Sequence, residues 1–168
     1  MVIGGASSGK SSFAESYVKA REGVLYYLAT AQAYDDEMRE KIILHQKDRE
    51  NDGWHTMEEP LDLVDALTSL PDDVNILLDC ATMWLNNLIM AERDLDAETR
   101  KLIDFLAITP QKITVVTNEV GLGIVPENKL ARAFRIAQGR LNARMAAQAD
   151  LVVTVMAGLP LALKGDLP

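Results

Sequence analysis

The sequence predicts an α/β fold, a mainly parallel sheet with helices on both faces. Three observations predict it. Short apolar runs alternate with helical patterns along the chain, the rhythm of strand–helix–strand units. Several of those runs are continuously apolar, as in strands buried on both faces of a parallel sheet. The chain also opens as strand, glycine-rich loop, helix. Its 168 residues suit one nucleotide-binding domain over residues 1–168, large enough to bury a core without staples.

The opening stretch carries the first chemistry. Gly4, Gly9, Lys10 and Ser11 satisfy G-x-x-x-x-G-K-[ST], the phosphate-cradling P-loop. Without side chains in the way, main-chain N–H groups can approach a polyphosphate closely, which assigns Gly4, Gly5, Ala6, Ser7, Ser8 and Gly9 to the cradle. Lys10 would reach the β- and γ-phosphates and the Ser11 hydroxyl would ligate Mg²⁺. The helix that follows, over residues 11–21, sets the positive end of its dipole beneath the same anion. The strand ahead of the loop spans only residues 1–3, either a short strand or one that starts further upstream.

Gly23 stops that helix, and residues 24–29 form an apolar strand. It ends in Thr30, Ala31 and Gln32, at the sheet edge where open α/β folds bind ligands; a plain strand-to-loop turn accounts for them equally well. Residues 35–50 read as a helix, acidic at its start and basic at its end. Met38, Ile42, His45 and Arg49 share one stripe at helical spacing. His45 and Arg49, one turn apart, could present a nucleophile and a phosphate clamp, or simply end a buried face in solvent; spacing alone favours the second. Residues 54–58 form a short extended piece holding His55, a surface or strand-edge residue. An amphipathic helix over residues 61–70 follows.

Residues 74–79 form another buried strand, and Asp79 at its end has the Walker B arrangement, in which a carboxylate holds the Mg²⁺ shell. Trp84 opens the next helix as a packing residue. A charged amphipathic helix covers residues 94–106, and an apolar strand covers 113–117. The loop over residues 118–126, mostly apolar with two glycines and a proline, is placed near the site by its position after a strand; Glu119 is its acid. A long helix over residues 127–149 carries Arg132, Arg135, Arg140 and Arg144 on a solvated or ligand-facing side. Residues 151–156 form the last clear strand.

Composition narrows the partners. Apolar residues make up 48% and charged ones 25%, values of a globular chain. With 17 Lys and Arg against 25 Asp and Glu, the net charge is −8. Duplex binding draws on a basic face, so no nucleic-acid partner is expected. No apolar run approaches the ~20 residues of a membrane span, and no signal peptide is expected ahead of the loop. The single cysteine, Cys80, rules out an internal disulfide and suits a reducing compartment, so a cytoplasmic location is expected.

Taken together, these motifs resemble the bifunctional adenosylcobinamide kinase and adenosylcobinamide-phosphate guanylyltransferase family of cobalamin biosynthesis. The resemblance rests on residues 4–11, 27–30 and 36–38, the run Lys41, His45, Arg49 and Trp54, the Asp79–Cys80 pair, and residues 117–128. It covers nearly the whole chain. It implies two reactions. ATP or GTP phosphorylates the aminopropanol hydroxyl of adenosylcobinamide. GTP then gives GMP to that phosphate through a covalent guanylyl-histidine, leaving adenosylcobinamide-GDP. His45 matches the guanylylated histidine, and the catalytic set becomes His45, Lys10 and Asp79. By the same match Thr30, Ala31, Gln32, Lys47, Asp48, Arg49, Glu50, Glu58 and Asp79 would lie along the GTP. Ser11 and Asp79 would serve Mg²⁺. Adenosylcobinamide and its phosphate are the implied partners, with a homo-oligomer, a trimer in some members. Ser7 stands where the family often carries arginine, and Lys41 where arginine is usual. A P-loop kinase of another small alcohol and a nucleotide-dependent switch ATPase are the competing readings; neither forms a covalent nucleotide.

Overall fold

The computed structural model describes residues 1–32 and 52–167. The helix expected over residues 35–50 lies outside them. In chain order the elements are β1 (Val2–Gly4), α1 (Lys10–Lys19), β2 (Val24–Ala29), β3 (Trp54–Glu58), α2 (Leu63–Thr68), β4 (Val74–Asp79), α3 (Ala81–Met90), α4 (Leu95–Ile108), β5 (Lys112–Asn118), α5 (Lys129–Gln148), β6 (Val152–Met156) and β7 (Leu159–Lys164). One seven-stranded sheet runs in the order β3-β2-β4-β5-β1-β6-β7. Every pairing is parallel except β6 with β7.

The continuous apolar runs are explained by which way successive side chains point. In a strand they alternate between faces, and here both faces are covered. Leu28, Ile76, Leu78 and Val115 join a core under α2–α5 with Leu67, Trp84, Leu88, Leu102 and Leu141. Their neighbours Tyr27, Leu77 and Val116 join a second core under α1, with Val2, Ala14, Val18 and Val153. Trp84 is fully buried, and its indole N–H donates to Leu61 O (2.8 Å). His55 lies exposed on the edge strand β3, its ring against Tyr26.

β7 was not expected from the sequence. Met156 is followed by Ala157 (φ 51°) and Gly158 (φ 80°), two left-handed residues in a row. That is the backbone of a two-residue hairpin turn, so the chain reverses and pairs back along β6. The hairpin also reaches the opening loop, because Gly158 N donates to Ser8 O (2.9 Å).

The sheet order places β1 between β5 and β6, with Gly4 level with Asn118 and Val155. A Cβ on Gly4 would stand 2.5 Å from both Ser8 Oγ and Val155 O. Gly4→Ala should therefore destabilise the fold by about 1–3 kcal/mol, the usual cost of overpacking, seen as a lowered thermal midpoint. An unchanged midpoint would mean that the loop and β6 can separate freely.

Candidate active site

The loop between β1 and α1 is shaped by two left-handed residues, Ser7 (φ 53°) and Gly9 (φ 91°). Gly9 has a second constraint: its missing Cβ would come within 3.2 Å of Gly158 Cα. Among the described residues no side chain caps α1, so the first N–H groups of the helix are left for an anion at the loop. Lys10 is the first helical residue, and its exposed Nζ donates to Gly5 O (3.2 Å), folded back over the loop. Ser11 follows in the first turn. Ser8 Oγ is buried without a hydrogen-bond partner among the described residues.

Asp79 ends β4, level with Ala29 of β2 and Val116 of β5. Tyr27 Oη donates to Asp79 Oδ2 at 2.6 Å, and Tyr27 in turn stands edge-on to Trp54. Burial, with the Asp79 charge beside it, pushes the Cys80 thiol up to about 11. At neutral pH that sulfur is a protonated thiol, a poor nucleophile.

Thr30 fastens β2 to β4. Its N–H donates to Asp79 O, its hydroxyl donates to Cys80 O (2.8 Å), and Cys80 N donates back to that hydroxyl (2.9 Å). Asn87 Nδ2, on α3, holds Thr30 O and Pro60 O at 2.7 and 3.0 Å. One buried amide thus fixes the exits of β2 and β3, from which Ala31 and Gln32 depart on one side. Glu58, at the end of β3, is level with Ala29. His45, Lys47, Asp48, Arg49 and Glu50 lie outside the described residues.

Sequence reasoning missed the support beneath the loop that follows β5. Asn118 N donates to Thr82 Oγ1 (2.8 Å), and Thr117 Oγ1 donates to Asn142 Oδ1 (2.7 Å). Gln138 Nε2 donates to Thr117 Oγ1 and Asn142 Oδ1, while Asn142 Nδ2 donates to Asn118 O (3.0 Å). Gln138 and Thr117 are completely buried, so each lost bond would strand a polar group away from water. The only signal for it was polar residues at core positions of α5. Glu119 leaves this network next to the P-loop: its N–H donates to Gly4 O (3.0 Å), and its Oε1 accepts from Gly121 N. Two of the α5 arginines hold the same loop by its carbonyls, Arg132 at Pro126 (2.9 Å) and Arg135 at Ile124 (3.2 Å) and Gly121. Arg144 instead bonds Thr99 Oγ1 on α4 (3.2 Å).

A phosphate loop at the centre of a parallel sheet, an acid at the end of a neighbouring strand and a pinned third loop beside both would suit many phosphoryl-transfer enzymes. Comparison with known proteins decides among them. The profile of the family described as cobinamide kinase / cobinamide phosphate guanyltransferase matches residues 1–163. The chain belongs to this family. It is therefore an enzyme of cobalamin biosynthesis, a kinase and a nucleotidyltransferase in one chain. The bifunctional adenosylcobalamin biosynthesis protein CobU of Salmonella typhimurium is 42% identical over 181 aligned positions, covering 98% of each chain. CobP of Pseudomonas aeruginosa, a protein of the same description, is 40% identical, covering 99% of this chain and 97% of its own. CobU of Escherichia coli is 38% identical, covering 98% of each. Both family reactions consume a nucleoside triphosphate, which gives the P-loop its ligand class. No helix among the described residues is long and apolar enough to cross a membrane.

Proposed function

We propose that this cobinamide kinase and guanylyltransferase phosphorylates the aminopropanol hydroxyl of adenosylcobinamide with ATP or GTP. It then transfers GMP from GTP to the new phosphate through His45. The observation that carries the first half is the loop of Gly4–Lys10, with α1 uncapped behind it and the Lys10 ammonium at its mouth. Gly4, Gly5, Ala6, Ser7, Ser8 and Gly9 hold the phosphates by main-chain N–H groups, and Lys10 offsets charge on the transferred group. The substrate hydroxyl attacks the γ-phosphorus, the bond to the bridging oxygen breaks, and a carboxylate takes the proton. Asp79 and Glu119 are the candidates.

The second half rests on the match of His45 to the family motif, since an imidazole nitrogen can act as the nucleophile of a covalent transfer. The ring nitrogen attacks the α-phosphorus of GTP and pyrophosphate leaves. A phosphate oxygen of the cobinamide phosphate then displaces the histidine, and GMP passes across. Arg49 would offset charge on the phosphoryl oxygens. Thr30, Ala31, Gln32, Lys47, Asp48, Glu50 and Glu58 are proposed along the nucleotide, in a homo-oligomer of the cytoplasm.

The donor set suits Mg²⁺. Ser11 and Asp79 supply hard oxygens only, and no group of three His, Cys, Asp or Glu is assembled among the described residues. Mg²⁺ prefers one or two protein oxygens plus phosphates and water to an all-protein cage. When bound it neutralises the charge of the triphosphate. Asp79→Asn, which keeps the volume and the Tyr27 contact but drops the charge, should raise the Mg²⁺ concentration giving half-maximal rate in both reactions. Unchanged metal dependence would remove Asp79 from the site. The overall reading is tested by incubating the enzyme with α-labelled GTP, denaturing it and following label on the protein, alongside phosphorylation of cobinamide. No covalent label would refute the guanylyl-histidine, and no phosphorylated cobinamide would refute the kinase.

A further inference from the structure

We propose that the loop following β5 is the platform on which the corrin ring of the substrate rests while its hydroxyl reaches the P-loop. This rests on the functional reading above, and it deepens it by assigning the macrocycle a place. Leu122, Ile124 and Val125 are 85%, 96% and 66% exposed, and Leu130, in the first turn of α5, is 55% exposed. Four large aliphatic side chains within nine residues of sequence form an apolar surface of the kind that marks a binding site.

The crest is built, not frayed. Arg132 and Arg135 hold the carbonyls of Pro126, Ile124 and Gly121 from the α5 side. Asn128 caps α5 by accepting from Leu130 N (2.7 Å) and Ala131 N (3.2 Å). Three of the loop's carbonyls are thereby bonded from the α5 side, and its aliphatic side chains are left facing solvent. Such an arrangement binds with little further loss of conformational freedom.

Its position selects the occupant. The loop starts from the phosphate site itself, because Glu119 N donates to Gly4 O. A substrate whose hydroxyl meets the γ-phosphate must lay its remaining bulk on the surface beside the P-loop. Cobinamide's bulk is a broad macrocycle with methyl-bearing faces and an amide rim. The crest, residues 120–126, holds no charged residue, which fits a methyl-studded face and not a further phosphate.

The test uses the full enzyme with Leu122→Ser and Ile124→Ser, exposed positions whose change leaves the core intact. Ile108→Ser, another exposed aliphatic at the far end of α4, is the control. The kinase KM for cobinamide should rise at least about tenfold in each loop variant, the scale on which one buried Leu or Ile side chain shifts a binding constant. The nucleotide KM, kcat at saturating cobinamide and the sedimentation coefficient should hold, and the control should match wild type. Equilibrium dialysis of cobinamide, read by its visible absorbance, should weaken in parallel. An unshifted cobinamide KM would overturn the proposal. So would a changed sedimentation coefficient with the cobinamide KM intact, which would give the crest to a second copy of the chain. Absence of cobinamide turnover in wild type would overturn the functional reading and this one together, whereas wild-type turnover with unshifted variants would overturn the platform alone.

Discussion

Lys10→Ala should cut phosphoryl transfer by about 10²–10³-fold, the range found when one preorganised donor to a developing charge is removed, with the thermal midpoint essentially unmoved. The two halves of this expectation come from the same geometry. The Lys10 ammonium is exposed and, among the described residues, donates to Gly5 O at 3.2 Å, a contact too solvated to matter to the fold. With a triphosphate in the loop, the same ammonium would be a fixed positive charge beside the transferred group. Steady-state kinase assays on both chains, with thermal unfolding beside them, measure the pair of outcomes. Turnover near that of wild type would mean that the loop of residues 4–10 is not the phosphate site.

His45→Ala should separate the two activities, abolishing guanylyl transfer and protein labelling by α-labelled GTP while phosphorylation of cobinamide continues. If His45 is the covalent nucleophile, the kinase step, a direct displacement at the γ-phosphorus, needs no imidazole, whereas the transfer divides into two displacements at the α-phosphorus. Each displacement inverts, so GTP made chiral at phosphorus by α-thio substitution should give product with net retention. The wild-type intermediate, a phosphoramidate, should be labile to acid and stable to base. Net inversion, or label that persists on the alanine variant, would sink the assignment and leave a single-step transferase.

What was legible in the sequence divides along a physical line. The strand–loop–helix opening, the strand ending in Asp79 and the presence of the described helices could be read because each depends on neighbouring residues: a glycine spacing, an apolar run meeting an acid, a helical stripe. Helix ends were less legible: the helix expected to open at Trp84 begins at Ala81, and the one expected over 61–70 spans Leu63–Thr68. β7 was hidden because Ala157 does not advertise a left-handed turn as asparagine would. Its Leu159, Leu161 and Leu163 are exposed, so no buried apolar run marks it as the earlier strands are marked. The buried set of Thr82, Thr117, Gln138 and Asn142 was invisible for another reason. Its members come from three elements far apart in sequence, and only the packing of α3 and α5 on β5 brings them together. The role of Arg132 and Arg135 was ambiguous between solvent and ligand; the described structure turns both onto loop carbonyls.

The central place of β1 has a consequence for how the molecule comes into being. Residues 2–4 leave the ribosome long before their neighbours in the sheet, residues 116–118 and 153–155. The loop behind them takes a hydrogen bond from Gly158. At synthesis rates of ~5–20 residues per second, the opening strand waits many seconds for partners, while β2, β4 and α3 can already associate around it. Contacts this distant in sequence close slowly. The phosphate cradle, encoded in the first dozen residues, is thus among the last parts of the molecule to take shape, and a nascent chain arrested before β6 would carry the motif without the site.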